Sequence, residues 1–342
     1  MVVAGAGMAG LCAAAQAYEL GSPPLVVEKG TRTGGSMLLS SGVVWRYRTF
    51  EEFRAQCPTG EERLQRLVFD RLDEGLEWLE SLGAPVLERK TGNPLTTGVR
   101  FDPAGLTEAL VRASGHVRLG HDLGTVPRPW PNEPVVLATG GFQGDRELVE
   151  RYVAPAGPLR VRANPCSAGD GLRFALERGA ALSAGLDEFY GRFARIFNDR
   201  GEEFVDHNQV SWSELDLVQA TAHQPGARAW YVLDEEALEE RVRYGTVREL
   251  VEQAPTRTEP AALPFEPPPG AVVAVRVAAA ITHTIGGLRV DDRARVLDEQ
   301  GEPIAGLFAA GADVGGISTG GYASGLASAL VLGRVAAETA LS

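Results

Sequence analysis

The chain opens on a glycine-rich turn between a short apolar strand and an Ala-rich helix. Gly5, Gly7 and Gly10 in MVVAGAGMAG have the G-x-G-x-x-G spacing, and a helical pattern runs over 8–20. In this context the first glycine allows a tight turn, the second lets the backbone approach a pyrophosphate, and the third lets the helix pack on the strand. Glu28 ends the next apolar strand, where a carboxylate can accept from a ribose hydroxyl. The pattern predicts a dinucleotide-binding β-α-β unit, the alternative being a glycine-rich turn of another α/β protein.

The whole-chain totals are those of a globular protein and limit its partners. The 342 residues are 44% hydrophobic and 23% charged, with a formal net charge of −12. Since an acidic surface repels nucleic acid and anionic membranes, neither is expected as a partner. Three widely spaced cysteines, Cys12, Cys57 and Cys166, argue against a disulfide framework and a metal site. The cysteines are expected to be reduced structural thiols in a cytoplasmic protein. No apolar run is long enough to span a bilayer.

Periodicity and breaker residues predict the order of the elements. The expected helices cover 51–82 with Gly83 as C-cap, 100–115 with Asp102 as N-cap, 169–180, and 325–340. A buried strand is expected within 134–142, and a hairpin over 190–206. The block 187–267, rich in charged and aromatic residues, ends in a proline-rich stretch. We therefore expect 1–186 and 268–342 to form one domain and 187–267 to form a small inserted α+β capping domain.

Two further glycine turns follow buried strands, ATGG at 138–141 and FAAGAD at 308–313. One extended cofactor touching all three turns is the simplest account, and FAD is long enough. The motifs, in order, are GAGMAG, VVEKG with TGGS, VVLATGGF, GDGLRFALERGA, NDRGEEFVD, HTIGGLRVDDRARVLDEQGEPIAGLFAAGAD and GLASALVLGR. This series resembles the FAD-dependent fumarate reductase/succinate dehydrogenase flavoprotein family, and within it the soluble branch with tricarballylate dehydrogenase and 3-ketosteroid Δ1-dehydrogenase.

The resemblance implies an α/β fold whose Rossmann-like FAD-binding domain has a parallel sheet flanked by helices. It also implies that Glu28 holds the adenosine ribose, that Asp313 approaches the ribityl chain, and that Gly325 and Leu326 face the pyrimidine end of the flavin. A helix N-terminus at that end stabilises negative charge on the reduced ring. The residues expected to contact FAD are Gly5, Gly7, Met8, Ala9, Gly10, Glu28, Lys29, Gly34, Gly35, Ser36, Ser41, Gly42, Ala138, Thr139, Gly140, Gly311, Asp313, Ser324, Gly325 and Leu326.

Three guanidinium or imidazole groups of the fumarate reductase site are replaced in this chain. Thr282 stands where the family has a substrate-binding His, and Gly320 where it has a carboxylate-binding Arg. Ser211 or Trp212 stands near the place of the proton-donating Arg. A small dicarboxylate needs paired charges to offset its desolvation. The replacements therefore argue against fumarate and succinate and favour a more neutral or bulkier substrate.

Four side chains are candidates for the chemistry itself. His283 precedes a Gly-Gly pair that the resemblance places against the flavin, and either its ring or only its backbone serves the site. Tyr190 and Tyr322 are phenols in regions expected to face the flavin, with packing in the core or lid as the alternative. Arg192 alternates with Arg195 along one strand and either binds an acidic substrate or lies in solvent.

The predicted function is FAD-dependent oxidoreduction of an activated carbon–carbon bond in a small-molecule substrate, by hydride transfer to or from flavin N5. A flavin oxidase or monooxygenase is one alternative, and a degenerate FAD-binding protein without catalysis is another. No second G-x-G-x-x-G has its own β-α-β unit, so an external electron donor or acceptor is expected. The oligomeric state stays open.

Overall fold

The structure is a computed structural model that describes most of the chain. The described residues are 1–126, 131, 133–153, 159–187, 195–203, 218, 220–242 and 245–342. The α-helices are α1 Met8–Glu19, α2 Phe50–Gln56, α3 Glu62–Ser81, α4 Pro103–Ser114, α5 Arg146–Tyr152, α6 Asp170–Leu176, α7 Glu235–Glu239, α8 Val247–Gln253 and α9 Gly325–Ala340. The strands are β1 Val2–Ala4, β2 Leu25–Glu28, β3 Val43–Tyr47, β4 Val86–Glu88, β5 Thr96–Phe101, β6 Val117–Leu119, β7 Val135–Leu137, β8 Arg160–Val161, β9 Arg195–Phe197, β10 Arg228–Leu233, β11 Arg241–Val242, β12 Gly245–Thr246, β13 Arg257–Thr258, β14 Val273–Ala278, β15 Ala280–Ile281, β16 Arg295–Leu297 and β17 Pro303–Ala309.

The chain divides into two compact units. The larger comprises Met1–Val149, Ala163–Glu188 and His283–Ser342, and the smaller comprises Glu150–Arg162 and Phe189–Thr282. The residues 268–282, which the sequence analysis places in the cofactor domain, group with the smaller unit in this division. The functional limits of the capping domain stay a prediction.

A six-stranded sheet forms the centre of the larger unit, in the order β16-β17-β7-β1-β2-β6. All of its pairings are parallel except that of β16 with β17. The central strands β1 and β7 are buried along their whole length, and Val2 pairs with Leu25 on one side and Val135 on the other. Short, wholly apolar strands are typical of a parallel sheet covered on both faces. Their carboxyl ends bring the first two glycine turns to one edge of the sheet.

Helices α1 and α9 are both deeply buried in the larger unit. Residues 8–17 of α1 and 327–337 of α9 are shielded from solvent. Residues 8–15 of α1 are apolar on every side of the helix, as expected of a helix segment without a solvent face. The buried Arg334 of α9 donates from Nε to Gln16 Oε1 of α1 at 2.7 Å, which gives both polar groups a partner. Cys12 lies in this core, as the sequence predicts.

The single helix predicted over 51–82 is wrong, because the structure has two helices, α2 and α3, with a break between them. Pro58 has no N–H to continue a helix, and Gly60 follows it in the turn. The buried Gln65 side chain stabilises the break by donating from Nε2 to the carbonyls of Cys57 and Ile317, both at 2.9 Å. The segment 316–321 is thereby attached to this turn.

Other predicted elements are confirmed with local differences. Asp102 caps α4 by accepting from Gly105 N at 2.6 Å, and α9 has the predicted limits. Gly83 follows α3 with a positive φ of 84°, as is common for a glycine just after the C-terminus of a helix. Within the predicted strand at 134–142, only β7 forms strand pairings, because the glycine turn begins directly after β7.

A second sheet of the larger unit contains β3, β5 and β4 in that order. Strands β3 and β5 are antiparallel, with Trp45 opposite Gly98. Because side chains alternate along a strand, Val43, Trp45 and Tyr47 share one face and Arg46 lies on the other.

The smaller unit contains an antiparallel sheet in the order β13-β14-β10-β9. Phe197, Val232 and Ala274 form its buried core. The predicted turn after β9 is present, since Gly201 N donates to Asn198 O at 3.0 Å, whereas the two ends of the predicted hairpin, 190–194 and 204–206, lie outside the described residues. Among the described helices of both units, none combines the length and apolarity needed to cross a membrane.

Candidate functional site

The turn between β1 and α1 has the close packing that its glycines predict. Gly5 has a φ of +103°, and a Cβ there would overlap the carbonyl oxygen of Ala138. A Cβ on Gly10 would overlap the carbonyl oxygen of Gly5. A Cβ on Gly7, in contrast, would meet no atom of the described residues within 4 Å. Gly5 and Gly10 are therefore required by packing, whereas Gly7 leaves an open approach to the start of α1.

The first turn of α1 presents free backbone donors to this open side. Among the described residues, the N–H groups of Met8, Ala9 and Gly10 have no acceptor, and the first helical bond joins Leu11 N to Gly7 O at 3.0 Å. No acidic side chain lies in this turn. Free N–H groups at the positive end of a helix dipole bind phosphate. The turn can therefore hold a pyrophosphate.

Glu28 and Lys29 are both engaged in contacts at the end of β2. Glu28 accepts from Ala6 N at 2.9 Å and from Gly30 N at 2.7 Å. Because a carboxylate has about four lone-pair sites, it can also accept from a ribose hydroxyl. Lys29 forms an ion pair with Asp170 at 2.5 Å. This contact connects the end of β2 to the start of α6.

The TGGS segment lies directly against the first turn. Gly34 N donates to Ala6 O at 2.7 Å, and a Cβ on Gly35 would lie 3.3 Å from Gly7 Cα. Ser36 is exposed beside them, whereas Ser41 is half-buried and Gly42 is buried just before β3. The structure thus brings Gly34 and Gly35 to the first turn, and places the 41–42 pair at the start of the second sheet.

The second and third glycine turns are joined through one carboxylate. Asp313, only 2% exposed, accepts from the backbone N–H of Thr139 and from its hydroxyl at 3.0 Å. The same hydroxyl accepts from Gly171 N at 2.9 Å, at the start of α6. Burial raises the pKa of Asp313 to about 7, although the hydrogen bonds from Thr139 and Gly140 oppose that rise. Asp313 therefore orders the two turns, and both its oxygens are used by Thr139.

The three turns meet around the start of α1. Ala138 is buried against Gly5, and Gly140 follows Thr139 with a φ of +87°. Gly311 has a φ of +69°, and a Cβ there would lie 2.9 Å from Ala9 Cβ. Three segments far apart in sequence thus converge on one place, as a shared ligand requires.

The N-terminus of α9 is a second open helix end. Ser324 caps it, accepting from Ala327 N at 3.3 Å and from Trp45 N at 3.4 Å. In the described part of the chain, the N–H groups of Gly325 and Leu326 have no acceptor, and a Cβ on Gly325 would meet no atom within 4 Å. This end can stabilise a partial negative charge on a bound group.

His283 and Tyr322 lie close together near this helix end. Both rings are half-buried, with centroids 6.4 Å apart and planes inclined at 46°. Burial lowers the pKa of His283, so the imidazole is neutral at pH 7. A neutral imidazole has one N–H donor and one acceptor nitrogen. The pair can therefore bind a carbonyl oxygen and exchange a proton with a substrate.

Sequence reasoning missed two aromatic residues of β3 that hold Tyr322. Tyr47 donates from its hydroxyl to Tyr322 O at 2.7 Å. The Trp45 ring lies 5.8 Å from that of Tyr322 and 5.3 Å from that of Tyr47, edge to face in the second case. Two aromatic residues at i and i+2 of a strand were the available signal, because this spacing puts both rings on one face.

Several candidate residues lie outside the described part of the chain. These are Tyr190, Arg192, Ser211 and Trp212. Gly320, in the place of the family's arginine, is exposed with a φ of +80°. The roles assigned to these residues, and each individual contact with FAD, stay predictions.

Comparison with known proteins identifies the cofactor of this chain. Residues 1–128 and 131–328 match the FAD binding domain family. The probable fumarate reductase Ifc3 of Shewanella frigidimarina is 24% identical over 441 residues, which cover 99% of this chain and 74% of the relative.

Solved structures share the fold at low sequence identity. The 3-ketosteroid-Δ4-(5α)-dehydrogenase of Rhodococcus jostii RHA1, in complex with 4-androstene-3,17-dione, has a TM-score of 0.75 at 21% identity and covers 100% of this chain and 96% of its own. The open conformation of a flavocytochrome c3 fumarate reductase has a TM-score of 0.74 at 22% identity, covering 99% and 77%. The predicted fold class and family resemblance are confirmed.

Proposed function

This chain belongs to the FAD binding domain family, and we propose that it is a hydride-transfer oxidoreductase acting on a carbon–carbon bond next to a carbonyl group. One relative is named a fumarate reductase, and a protein of the same fold is named a 3-ketosteroid dehydrogenase. Fumarate and 3-ketosteroids share a carbonyl carbon beside the bond that gains or loses hydrogen. This shared chemistry supports the proposal more than either individual substrate does.

The residues present fit FAD. The free N–H groups of α1 would hold its pyrophosphate, Glu28 its ribose, and Gly325 with Leu326 the pyrimidine end of the flavin. When bound, FAD supplies the acceptor or donor of the hydride at flavin N5. The protein's own part is to orient the substrate and to move the accompanying proton.

The composition of the site favours an uncharged substrate. Thr282 and Gly320 replace the cationic or imidazole groups that a dicarboxylate requires. Moving a carboxylate from water into a buried site without a paired cation costs roughly several kcal/mol of desolvation free energy. A ketone or enone needs only one hydrogen-bond donor at its oxygen. We therefore assign the site to an α,β-unsaturated ketone, or to the saturated ketone in the reverse direction.

The observation that carries the proposal is the pairing of His283 with Tyr322 beside the open end of α9. We assign the N–H of the neutral imidazole to the substrate carbonyl and the Tyr322 hydroxyl to proton exchange at the α-carbon. In the reducing direction the substrate gains a hydride at the β-carbon and a proton at the α-carbon. The two electrons come from an external carrier, and the reverse reaction returns them to one.

Variants of the pair test the assignment. Protein-bound flavin is reduced anaerobically, a conjugated ketone is added, and flavin reoxidation is followed. Tyr322→Phe should slow reoxidation by about 10²–10⁴-fold if the hydroxyl supplies the proton. His283→Ala should slow it by about 10²–10³-fold, whereas His283→Gln, which retains an N–H donor, should recover part of the rate. Equal rates in the wild type and in both Tyr322→Phe and His283→Ala would reject the assignment.

A further inference from the structure

Three half-buried aromatic rings form a row beside α9. The Trp45 and Tyr322 centroids are 5.8 Å apart, and those of Tyr322 and His283 are 6.4 Å apart. Each of the three residues is partly exposed. Neighbouring aromatic residues that stay partly exposed present a wall to a ligand, whereas rings used only for packing are normally covered.

The Trp45 end of this row is held by the backbone as well as by packing. Trp45 N donates to Ser324 Oγ at 3.4 Å, which connects β3 to the cap of α9. The residue opposite on β5 is Gly98, where a Cβ would lie 2.6 Å from Trp45 Cα. A glycine at that position is thus needed for Trp45 to keep its place in the strand. The indole is presented from a rigid element, which favours a site of defined shape.

Tyr47 supports the row without joining its accessible face. Its ring is 5% exposed, packs edge to face on Trp45 at 5.3 Å, and its hydroxyl donates to Tyr322 O at 2.7 Å. Burial raises the pKa of Tyr47, so the hydroxyl stays protonated at neutral pH. Tyr47 is therefore a positioning residue that fixes both neighbours.

The nearest cation of β3 is directed away from the row. Arg46 lies on the opposite face, where it pairs with Asp73 at 2.6 Å and covers the Phe69 ring at 4.5 Å. The wall formed by Trp45, Tyr322 and His283 thus has no formal charge of its own at pH 7. An uncharged aromatic surface of this kind favours an uncharged ligand, since a ring can pack against the indole and carboxylates lose hydration there.

We propose that Trp45 is a specificity-determining residue, which selects substrates whose reactive carbon–carbon bond lies in a ring over open-chain substrates. The inference rests on the proposed function, because it concerns the same site. It adds a residue that neither the motifs nor the family comparison assigns. The indole contacts the ring of the substrate and takes no part in proton or hydride movement, so its removal should weaken binding rather than slow the chemical step.

The test compares a ring ketone, 2-cyclohexen-1-one, with an open-chain ketone, 3-penten-2-one. Saturation curves for anaerobic flavin reoxidation are measured on FAD-loaded wild type, Trp45→Ala and Trp45→Phe. In Trp45→Ala the half-saturating concentration of the ring ketone should rise about tenfold, with a limiting rate within about twofold of wild type. The value for the open-chain ketone should stay unchanged, and Trp45→Phe should lie between. Equal weakening for both ketones, or a change confined to the limiting rate, would overturn the proposal.

A binding measurement separates this inference from the proposed function. Perturbation of the oxidised flavin spectrum is titrated with the same ketones, which requires no turnover. If wild type binds the ring ketone but does not reduce it, the proposed function fails, and the effect of Trp45→Ala on this titration still decides the role of Trp45. If neither ketone binds to wild type, both proposals fail. Trp78→Phe, which loses a tryptophan at an exposed contact with Glu19, should match wild type in both measurements.

Discussion

Asp313 accepts hydrogen bonds from both the backbone N–H and the hydroxyl of Thr139, 174 positions earlier in the chain. The Thr139 hydroxyl in turn accepts from Gly171 N at 2.9 Å. One buried junction therefore fixes the ends of β7 and β17 and the start of α6. Since the end of β7 also packs against Gly5, the geometry of the first two glycine turns depends on this pair.

Replacing Asp313 by Asn should change the pH dependence of stability. The amide oxygen can accept from Thr139 N and the amide nitrogen can donate to the hydroxyl, so the junction is retained without a charge. In the wild type the folded pKa of about 7 exceeds the usual carboxyl value, so folding is penalised increasingly as pH rises from about 4 to about 7. Between pH 5 and pH 8 the wild type should lose about 2 kcal/mol relative to Asp313→Asn.

Urea unfolding at the two pH values measures this difference. Asp313→Ala is the matched control, because it leaves the Thr139 N–H without its acceptor and should cost about 1–3 kcal/mol relative to Asp313→Asn at both pH values. Parallel pH profiles for wild type and Asp313→Asn would contradict the burial of a titrating carboxylate.

Gly7→Ala and Gly10→Ala should separate cofactor binding from folding. Gly7 has a φ of −82° and open space at its Cβ position, so alanine there should leave the free energy of unfolding of the FAD-free protein within about 0.5 kcal/mol of wild type. It should nevertheless weaken FAD binding by at least about tenfold, because a methyl group enters the approach of the pyrophosphate. Gly10→Ala should impair both properties, since its Cβ overlaps Gly5 O. Flavin titration and urea unfolding give the two readouts, and unchanged FAD affinity in Gly7→Ala would place the pyrophosphate elsewhere.

Ser324→Ala should destabilise the protein by about 1 kcal/mol through loss of the α9 cap. Ser324→Gly is the matched control, because a glycine at an N-cap costs only about 0.3 kcal/mol relative to serine. The comparison is made by urea unfolding of the FAD-loaded proteins. Equal losses in the two variants would show that the hydroxyl acts through Trp45 N or packing rather than through the cap.

His283→Gln should reduce the loss of stability in acid. Burial lowers the pKa of His283 below its usual value near 6.5, so the unfolded chain takes up the proton first as the pH falls. The wild type therefore loses stability below about pH 6.5 from this group, and the glutamine variant does not. Unfolding curves at pH 7.5 and pH 5.5 test the difference. A wild type that gains stability on acidification relative to the variant would contradict a buried neutral imidazole.

The cofactor half of the fold could be predicted because it depends on local signals. Gly5 and Gly10 mark a turn whose close contacts exclude side chains, Gly7 leaves the start of α1 open, and the terminal helix has a cap and a continuous apolar pattern. The break between α2 and α3 was missed because periodicity on either side of Pro58 continues nearly in phase. The hydrogen bonds of Gln65 to Cys57 and to Ile317 stabilise the break, and the second partner lies 252 positions away, where no local pattern can report it.

The substrate side of the site could be predicted only in part. His283 and Tyr322 were candidates by resemblance, but their proximity depends on how two distant segments pack. Trp45 and Tyr47 have no motif, and their relation to Tyr322 arises from the register of β3 and from the hydroxyl contact with Tyr322 O. Asp313 was expected at the ribityl chain, yet its engagement with Thr139 is a tertiary contact that sequence spacing does not report.

Anaerobic reoxidation of the reduced, FAD-loaded protein by 2-cyclohexen-1-one, with identification of the product, tests the proposed function most directly. We expect recovery of the oxidised flavin spectrum and formation of one equivalent of cyclohexanone per flavin. Reduced flavin that stays reduced with the ketone but reoxidises rapidly in air would contradict the proposed function and favour an oxidase or monooxygenase. Flavin that reacts with neither would favour a protein that binds FAD without catalysis.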